Sequence, residues 1–509
     1  MQSLTALLEA GTMVPACRPW PRAIVSPQQW SVLTAHLVQE RFTLLGLWGD
    51  DGAVHMALYD EQAGVAGIAT CLCPEGRFPS VGQLHAPAQR LERTVHDLFG
   101  LKADAGTTAP LDERPWLDHG RWGVRAPLGA ATPGQVEGEP YDFLKAEGAH
   151  LHQIPVGPVH AGIIEPGHFR FHALGETVVR LEERLGYVHK GIEARMAGAL
   201  PEKAARLAGR LSGDSTVAAS LAFSQAVEAA LGAEVPARAI FLRALMAELE
   251  RIANHFGDVG AICNDAAFAM MLAHCGVLRE KVLRASDACF GHRLLMDRIK
   301  PGGVRADISD EGIAIVRDLV KTARATFPAL VELYRNTPSI QDRTVTTGRV
   351  RAALVRKFGA GGFVGRASGR AFDARRNLPY APYGQLPFEV PVLEEGDVDA
   401  RLRIRVMEVD ESLALITRIL DNLPQGAIEA ELPAPPADGA EGVALVESFR
   451  GDLLAFVRLD GEARIRRAHL RDASWFQWPL LEAAIEGNIV ADFPLCNKSF
   501  NCSYSGHDL

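Results

Sequence analysis

A stripe of apolar residues follows Pro236 at alternating spacings of three and four positions. Such spacings place side chains on one face of an α-helix, and proline is favoured where a helix begins. We therefore predict a long helix opened by Pro236, with one face buried in a core, within a region from about Ile192 to Tyr334 where helices dominate. The stripe consists of Leu242, Leu245, Leu249, Ile252 and Phe256.

The composition excludes several classes of protein. The chain has 509 residues, 48% of them hydrophobic, which is enough to form substantial cores. Lys and Arg number 53 against 62 for Asp and Glu, and the resulting net charge of -9 argues against a nucleic-acid binder. The first residues lack the features of a signal peptide, and no apolar run is long enough to span a membrane. We expect a cytoplasmic chain that is peripheral to the membrane through partner subunits.

The eight cysteines are scattered along the chain and form no C-x-x-C pair. This distribution does not resemble a disulfide framework or a zinc or iron-sulfur loop. We expect reduced structural thiols and no cofactor bound by this chain itself.

The order of local patterns predicts an α+β fold with two domains. Short apolar runs separated by Gly and Asp turns predict successive strands between residues 42 and 73, and a helical pattern follows. We assign residues 1–125 to a small α+β domain and the Gly-, Pro- and Ala-rich residues 126–140 to a linker. Residues 141–509 form a mainly α-helical domain with peripheral β hairpins, one of them predicted between Val443 and Gly461.

The stretch from Arg210 to Glu228 places Ser212-Gly213-Asp214-Ser215 just before an apolar helix. Asp214 or Ser215 is a good helix N-cap, since its side-chain oxygen can accept an early backbone N–H. A serine nucleophile is disfavoured because the pattern is not G-x-S-x-G and the sequence identifies no base. A third interpretation is the remnant of a site that once held something else.

The glycine-rich stretch Lys357–Gly365 is interpreted as a flexible turn, because it lacks the Gly-Lys-Ser/Thr ending of a phosphate loop.

Two groups of polar residues are candidates for chemistry. Five histidines and a carboxylate lie close together in sequence, but their spacing matches no standard metal site. Glu248, Arg251 and His255 share one face of the Pro236 helix, which indicates a surface salt bridge or, alternatively, a charged seam against a partner or cofactor. The first group consists of His150, His152, His160, Glu165, His168 and His172.

Several longer segments resemble a known family. The first part of the chain resembles the C subunit of NADH:quinone oxidoreductase (respiratory complex I) in ERTVHDLFGL and LDERPW. The rest resembles the D subunit and the related large subunit of membrane-bound nickel-iron hydrogenases. A fused C and D arrangement is also that of formate-hydrogenlyase-type hydrogenases, which the segment Glu165–Arg170 favours. The segments of the second part are GPVHAGIIEPGHFRFHALGETVV, GYVHKGIEARM, EVPARAIFLRALMAELERIANHFGDVG, RIKPGGV, DRTVTTG and RASGRAFDARR.

The resemblance implies four positions for the thiolates that bind nickel and iron. They fall here on Ser212, Ser215, Ser503 and Gly506, although a slip of one residue would use Cys502. Nickel and the adjacent iron require soft thiolates, and a neutral serine hydroxyl is a poor replacement. We therefore predict a degenerate nickel-iron site that binds no metal.

The resemblance also implies positions beside a quinone and beside an iron-sulfur cluster. Ile164 and Gly213 fall where complex I has its quinone-contacting histidine and tyrosine. Arg210 and His255 fall beside the terminal iron-sulfur cluster of the neighbouring small subunit, where such groups tune its potential.

Three further residues of these motifs are predicted to be functional. Glu193 keeps the acid of the Arg-Gly-x-Glu motif and is the catalytic candidate for proton transfer, while Lys190 replaces that motif's arginine. His160 and His168, in the GPVHAGIIEPGHFR segment, are candidate cofactor-binding residues.

The leading functional prediction is therefore a component of a membrane-associated, complex I-like or hydrogenase-like oxidoreductase. It docks on an iron-sulfur small subunit and couples electron transfer of the NADH/quinone type to membrane-embedded subunits of the proton-pump type. A quinone stays open as electron acceptor. The alternative is a redox-silent scaffold that couples partner subunits. An active nickel-iron hydrogenase is disfavoured by the missing thiolates.

Overall fold

The computed structural model describes residues 3–106, 110–117, 128, 141–148, 150–160 and 164–509. Helix accounts for 46% of the residues and strand for 19%, so the predicted α+β class is confirmed. The proposed linker, 126–140, lies outside the described residues except for Leu128. No helix within the described ranges is long and apolar enough to cross a membrane.

The strands form small sheets. The predicted strands between residues 42 and 73 are confirmed as β4, β5 and β6, which lie in a sheet of order β1-β3-β6-β5-β4. The predicted hairpin is β14 and β15, which pair antiparallel in a sheet of order β16-β15-β14-β2. The strands are β1 (Thr12–Met13), β2 (Cys17–Arg18), β3 (Arg22–Val25), β4 (Thr43–Asp50), β5 (Ala53–Asp60), β6 (Val65–Leu72), β7 (Arg77–Pro79), β8 (Lys102–Asp104), β9 (Leu151–Val156), β10 (His168–Leu174), β11 (Thr177–Arg184), β12 (Ile299–Lys300), β13 (Gly303–Val304), β14 (Ala440–Ser448), β15 (Gly451–Leu459) and β16 (Ile465–Arg471).

The helices form the larger part of the chain. The predicted Pro236 helix is confirmed as α7, and all five residues of its stripe are buried. Helices α8 and α14 pack directly on α7, and α6 lies against β14 and β15. The helices are α1 (Leu4–Glu9), α2 (Pro27–Val38), α3 (Gln89–Phe99), α4 (Ile192–Met196), α5 (Pro201–Ala208), α6 (Thr216–Leu231), α7 (Ala237–Asp265), α8 (Ala269–Phe290), α9 (Asp310–Arg335), α10 (Pro338–Thr344), α11 (Ala352–Phe358), α12 (Gly362–Arg366), α13 (Ala374–Asn377), α14 (Val398–Asp421), α15 (Ser474–Ile485), α16 (Phe493–Phe500) and α17 (Tyr504–Asp508).

The N-terminal sheet packs face to face on the C-terminal hairpin. Trp48 and Tyr59 from the first sheet belong to one buried apolar cluster with Leu454 and Phe456 of β15. In addition, β2 pairs in parallel with β14. The predicted domain boundaries near residues 125 and 141 stay a prediction, but the packing joins the N-terminal residues to the end of the chain.

The glycine-rich stretch Lys357–Gly365 is not the flexible turn expected from its composition. It joins α11 to α12, and residues 359–365 are buried against the β14–β15 turn. Gly362 has a φ of +63°, and a Cβ there would lie 1.8 Å from the carbonyl oxygen of Arg450. The glycine is required by this close approach of two backbones.

Candidate functional site

A polar cavity of about 340 Å³ lies where five segments of the chain meet. The segments are the loop before α6, residues 164–165, the C-terminal end of α7, the β14–β15 turn, and the end of the chain from α16 to α17. Most of its lining residues carry a hydroxyl, amide or charged group. The lining residues are Ile164, Glu165, Ser212, Gly213, Asp214, Asp265, Arg450, Pro494, Asn497, Lys498, Asn501, Cys502, Ser503, Tyr504 and Ser505.

Three of the four predicted degenerate ligand positions are joined by hydrogen bonds, and two of them, Ser212 and Ser503, line this cavity. Ser503 donates its hydroxyl to the Ser212 hydroxyl oxygen at 2.9 Å, across 291 residues of sequence. The backbone N–H of Gly506 in turn donates to Ser503 Oγ at 2.8 Å, which makes Ser503 the N-cap of α17. Ser215 lies one turn beyond Ser212 in a 3-10 turn, with its hydroxyl buried and no hydrogen-bond partner among the described residues.

An ion pair fixes the loop that carries Ser212. Ser212 donates to Asp214 Oδ1 at 2.7 Å, and the Arg450 guanidinium binds both carboxylate oxygens of Asp214, at 2.8 and 2.5 Å. Burial by itself would raise the pKa of Asp214, but Arg450 holds it below the usual value, so the carboxylate is ionised at neutral pH. No sequence pattern pointed to Arg450, because a turn residue of a hairpin is normally exposed.

The predicted capping bond of α6 is wrong, because neither Asp214 nor Ser215 accepts an N–H group of the first turn with its side chain. Ser215 occupies the N-cap position but makes no side-chain capping bond, and the Asp214 carboxylate is taken up by Ser212 and Arg450. Instead, Glu250 of α7 accepts the N–H groups of Val217 at 2.7 Å and Ala218 at 3.1 Å. The cap therefore comes from a residue more than 30 positions away in sequence.

The residues present do not fit a nickel-iron centre. Ser212 and Ser503 offer neutral hydroxyls already bonded to each other, and Gly506 offers no side chain. The thiol of Cys502 lines the cavity, but it is 3.9 Å from Gln477 Oε1, and burial raises its pKa well above the usual value. A buried neutral thiol is a weak ligand compared with a thiolate. Within the described ranges, no three His, Cys, Asp or Glu side chains form a group that could hold a metal ion.

The two predicted quinone positions share this cavity. Ile164 lines it with an apolar side chain that cannot donate a hydrogen bond, and Gly213 lines it from the opposite segment. A Cβ added at Gly213 would meet no atom within 4 Å. The space that a larger side chain would fill beside Gly213 is therefore open cavity.

Glu193 lies in a buried ion cluster and not on the cavity wall. Its carboxylate accepts from Arg467 Nη1 at 2.5 Å and from His469 Nδ1 at 2.8 Å. Burial by itself would raise the pKa of Glu193, but Arg467 and His469 lower it to about 2. The ionised carboxylate binds α4 to β16, and its predicted part in proton transfer stays a prediction.

Arg210 and His255 were both predicted to lie beside the partner's iron-sulfur cluster, and of these two Arg210 reaches the surface. Its side chain is 40% exposed, and its guanidinium binds both carboxylate oxygens of Asp297 at 2.8 Å. Lys190 donates to the carbonyl oxygens of Arg210 and Leu211, at 2.7 and 2.8 Å. Lys190 thus supports the backbone that leads from Arg210 into the cavity loop.

The face formed by Glu248, Arg251 and His255 is neither a surface salt bridge nor an exposed seam. All three are at most 1% exposed. His255 Nε2 contacts Glu408 Oε2 at 2.7 Å, and burial lowers the pKa of the imidazole. Because His255 does not reach the surface of the chain, direct contact with a partner is not available to it in this arrangement, and its place beside a cluster stays a prediction.

The partners of this face come from distant segments. Glu248 accepts from Arg375 at 2.9 Å and from Tyr383 at 2.7 Å, and Arg251 donates to backbone carbonyls of β14. Arg366 donates to Glu408 at 2.8 Å. The network holds α7, α12, α13, α14 and β14 together.

His160 and His168 each donate a hydrogen bond to a backbone carbonyl in the connection between β9 and β10. His160 Nε2 donates to the Gly167 carbonyl at 2.7 Å, and His168 Nδ1 donates to the Gly157 carbonyl at 3.1 Å. Their predicted cofactor binding stays a prediction. His172, on the same hairpin, contacts Gln153 and Arg180 instead. The spacing of these histidines therefore reflects separate contacts along the β9–β10 hairpin.

Much of the helical core and the end of the chain match a family of respiratory-chain subunits. A family model described as "Respiratory-chain NADH dehydrogenase, 49 Kd subunit" matches residues 265–437 and 433–508. The chain belongs to this family, and the resemblance noted in its sequence is confirmed.

The relatives include proteins of hydrogenase complexes as well as of complex I. Formate hydrogenlyase subunit 5 of Escherichia coli (strain K12) is 33% identical over 73% of this chain and 66% of its own length. The carbon monoxide-induced hydrogenase of Rhodospirillum rubrum is 32% identical over 68% of this chain and 96% of its own length. The C/D subunit of NADH-quinone oxidoreductase from Phocaeicola vulgatus is 30% identical over 82% of this chain and 84% of its own length.

A solved structure shows the same fold. It is described as the membrane-bound sulfane sulfur reductase, an archaeal respiratory membrane complex, and one of its chains aligns with a TM-score of 0.66 at 27% identity. The alignment covers 71% of this chain and 99% of that chain. The relatives are therefore subunits of complex I-like and hydrogenase-like complexes, as the sequence predicted, and the neighbour belongs to a respiratory membrane complex.

Proposed function

We propose that this chain is an oxidoreductase subunit that docks on an iron-sulfur small subunit, is peripheral to the membrane through membrane-embedded partners, and works without a nickel-iron centre. The observation that carries the proposal is the contact between Ser212 and Ser503. It joins the two segments to which the resemblance assigns the metal ligands, but with hydroxyls in place of thiolates. The family architecture is thus combined with a donor set unsuited to nickel.

Arg210 is the residue through which this chain would act on the partner's cluster. Its guanidinium is at the surface and is held in place by Asp297, so that a positive charge is presented in a fixed position. A positive charge beside an iron-sulfur cluster stabilises the reduced form and raises the midpoint potential. The Asp297 carboxylate offsets part of this charge.

The cavity is the candidate site for the electron acceptor. It has room for a small polar headgroup, with hydroxyl donors at Ser505 and Tyr504 and the open space beside Gly213. A quinone is the acceptor that the resemblance favours. The hydrogen-bond donors that complex I uses for the headgroup are absent at Ile164 and Gly213, so the headgroup would need other partners here.

The test is to purify the complex from membranes through a tag on this chain and to titrate its iron-sulfur clusters by electron paramagnetic resonance. We expect a small iron-sulfur subunit and membrane subunits to copurify. Arg210→Gln should lower the midpoint potential of one cluster. Arg206→Gln is the matched control, since Arg206 lies one turn earlier with a more exposed side chain and a longer contact, 3.8 Å, to Glu202. Copurification without any iron-sulfur subunit would contradict the proposal.

A redox-silent scaffold is the second candidate. It is favoured by the internal pairing of the cavity's polar groups, because Ser212, Asp214 and Arg450 satisfy one another without a ligand. The copurified small subunit distinguishes the two candidates. If the cysteines that bind its terminal cluster are missing, electron transfer through the pair is excluded and the scaffold is supported.

A further inference from the structure

A second cavity, of about 140 Å³, lies in the N-terminal part of the chain between α3, β8 and residues 110–113. None of its described lining residues belongs to the polar cavity. Its walls include residues of ERTVHDLFGL and LDERPW, the two segments that resemble the C subunit, and the proposed function uses neither segment. This cavity is therefore a separate candidate site.

One face of α3 forms the longest wall of this second cavity. Gln89, Glu92, Arg93 and His96 line it, and their spacing of three and four residues places them on the same side of the helix. The charged groups of this wall are occupied within the fold. Glu92 accepts the backbone N–H groups of residues 81 and 82, at 2.6 and 3.0 Å, and Arg93 donates to the carboxylate of residue 112 at 3.0 Å.

The remaining walls combine apolar side chains with two opposite charges. Ala103, Pro110 and Leu111 supply apolar surface. Lys102 and Glu113 line the cavity as exposed residues, and their charges offset each other. An apolar interior with few polar groups and no excess charge suits a neutral ligand with an apolar body.

His96 is a polar group of this cavity that the fold does not satisfy. Its Nδ1 is buried without a hydrogen-bond partner, and within the described part of the chain its Nε2 has none either. Polar groups removed from water are normally hydrogen-bonded, because an unmade bond costs free energy. Since Nδ1 is buried, Nε2 is the nitrogen through which the ring can bond a ligand.

We propose that the second cavity binds a neutral aromatic molecule of one ring, whose carbonyl oxygen accepts a hydrogen bond from His96 Nε2. A cavity of about 150 Å³ is large enough to take up benzene, so the volume fits a single ring. A hydrogen on Nδ1 would be a buried donor without an acceptor, which favours the tautomer with the hydrogen on Nε2. The ring of the ligand lies against Ala103 and Leu111.

Saturation-transfer difference NMR on the purified complex, with benzamide as the probe, tests the proposal. We expect a saturable signal from the benzamide ring protons. His96→Phe keeps an aromatic ring but removes both nitrogens, and it should weaken benzamide binding about three- to tenfold, the factor for one lost hydrogen bond. Because the imidazole makes no hydrogen bond in the fold, this variant should not melt below the wild type.

Ala103→Leu localises the signal, because the larger side chain fills part of the cavity and should abolish binding. His274→Phe is the matched control, since His274 is exposed on α8 and does not line this cavity, and it should leave the benzamide affinity unchanged. Benzoate has the same ring but a charged carboxylate, and it should bind more weakly because the Glu92 carboxylate lies in the wall.

Three results would overturn the proposal: no benzamide signal from the wild type, equal affinity in the wild type and His96→Phe, or tighter binding of benzoate than of benzamide. If Ala103→Leu does not fold, His96→Phe and its control decide. None of these measurements involves electron transfer or the polar cavity, so failure here is distinct from failure of the proposed function.

Discussion

Ser503 donates its hydroxyl to Ser212 at 2.9 Å, and this contact closes the base of the cavity. It joins the N-terminus of α17 to the loop before α6. In a relative with a nickel-iron centre, the resemblance places metal ligands at both residues. Here a hydrogen bond between two neutral side chains links these two segments.

Ser503→Ala should destabilise the chain by about 1 to 2 kcal/mol, the range for loss of a helix N-cap. The variant removes both the capping bond to Gly506 and the bond to Ser212. Ser505→Ala is the matched control from the same helix and cavity, and it should cost less than about 1 kcal/mol. Thermal unfolding followed by circular dichroism measures both. Equal effects of the two substitutions would contradict the capping role.

Glu193→Gln should produce a loss of stability that depends on pH. The folded-state pKa of Glu193 is lowered to about 2, so the carboxylate contributes stability above its unfolded pKa of about 4.3. This contribution is lost as pH falls through the folded value. The variant should therefore melt well below the wild type at pH 6, and the difference should shrink as pH falls toward 2. A difference that stays constant over this range would show that Arg467 and His469 do not depress this pKa.

Gly362→Ala should destabilise the chain by at least about 3 kcal/mol, because overpacking adds to a positive φ. The new Cβ would lie 1.8 Å from the Arg450 carbonyl oxygen. Gly64 is the matched control, since its φ is +67° and a Cβ there meets nothing within 4 Å. Gly64→Ala should cost only about 1 kcal/mol. Comparable losses in the two variants, measured by thermal unfolding, would contradict the close approach at Gly362.

Periodicity predicted the local elements of this fold well. The spacing from Leu242 to Phe256 predicted α7, and alternation predicted the hairpin of β14 and β15. Both signals come from neighbouring residues, which is the range over which helix and strand geometry act. The same signals could not show that the N-terminal sheet packs on β14 and β15, because that contact joins opposite ends of the chain.

The site was predicted less completely for the same reason. The resemblance pointed to Ser212 and Ser503, and the structure brings them together. Spacing placed Glu248 and His255 on one helix face but could not distinguish a surface from a core, because the partners Arg375 and Glu408 lie more than 100 residues away. The cap of α6 by Glu250 was missed because local residues offered adequate caps of their own.

The nickel content of the complex purified from membranes tests the central claim most directly. Because hydroxyls stand at the positions of the soft ligands, we predict substoichiometric nickel, below about one tenth per copy of this chain, in a preparation whose iron resides in iron-sulfur clusters. One nickel per copy of this chain, retained through purification, would contradict the account of Ser212 and Ser503.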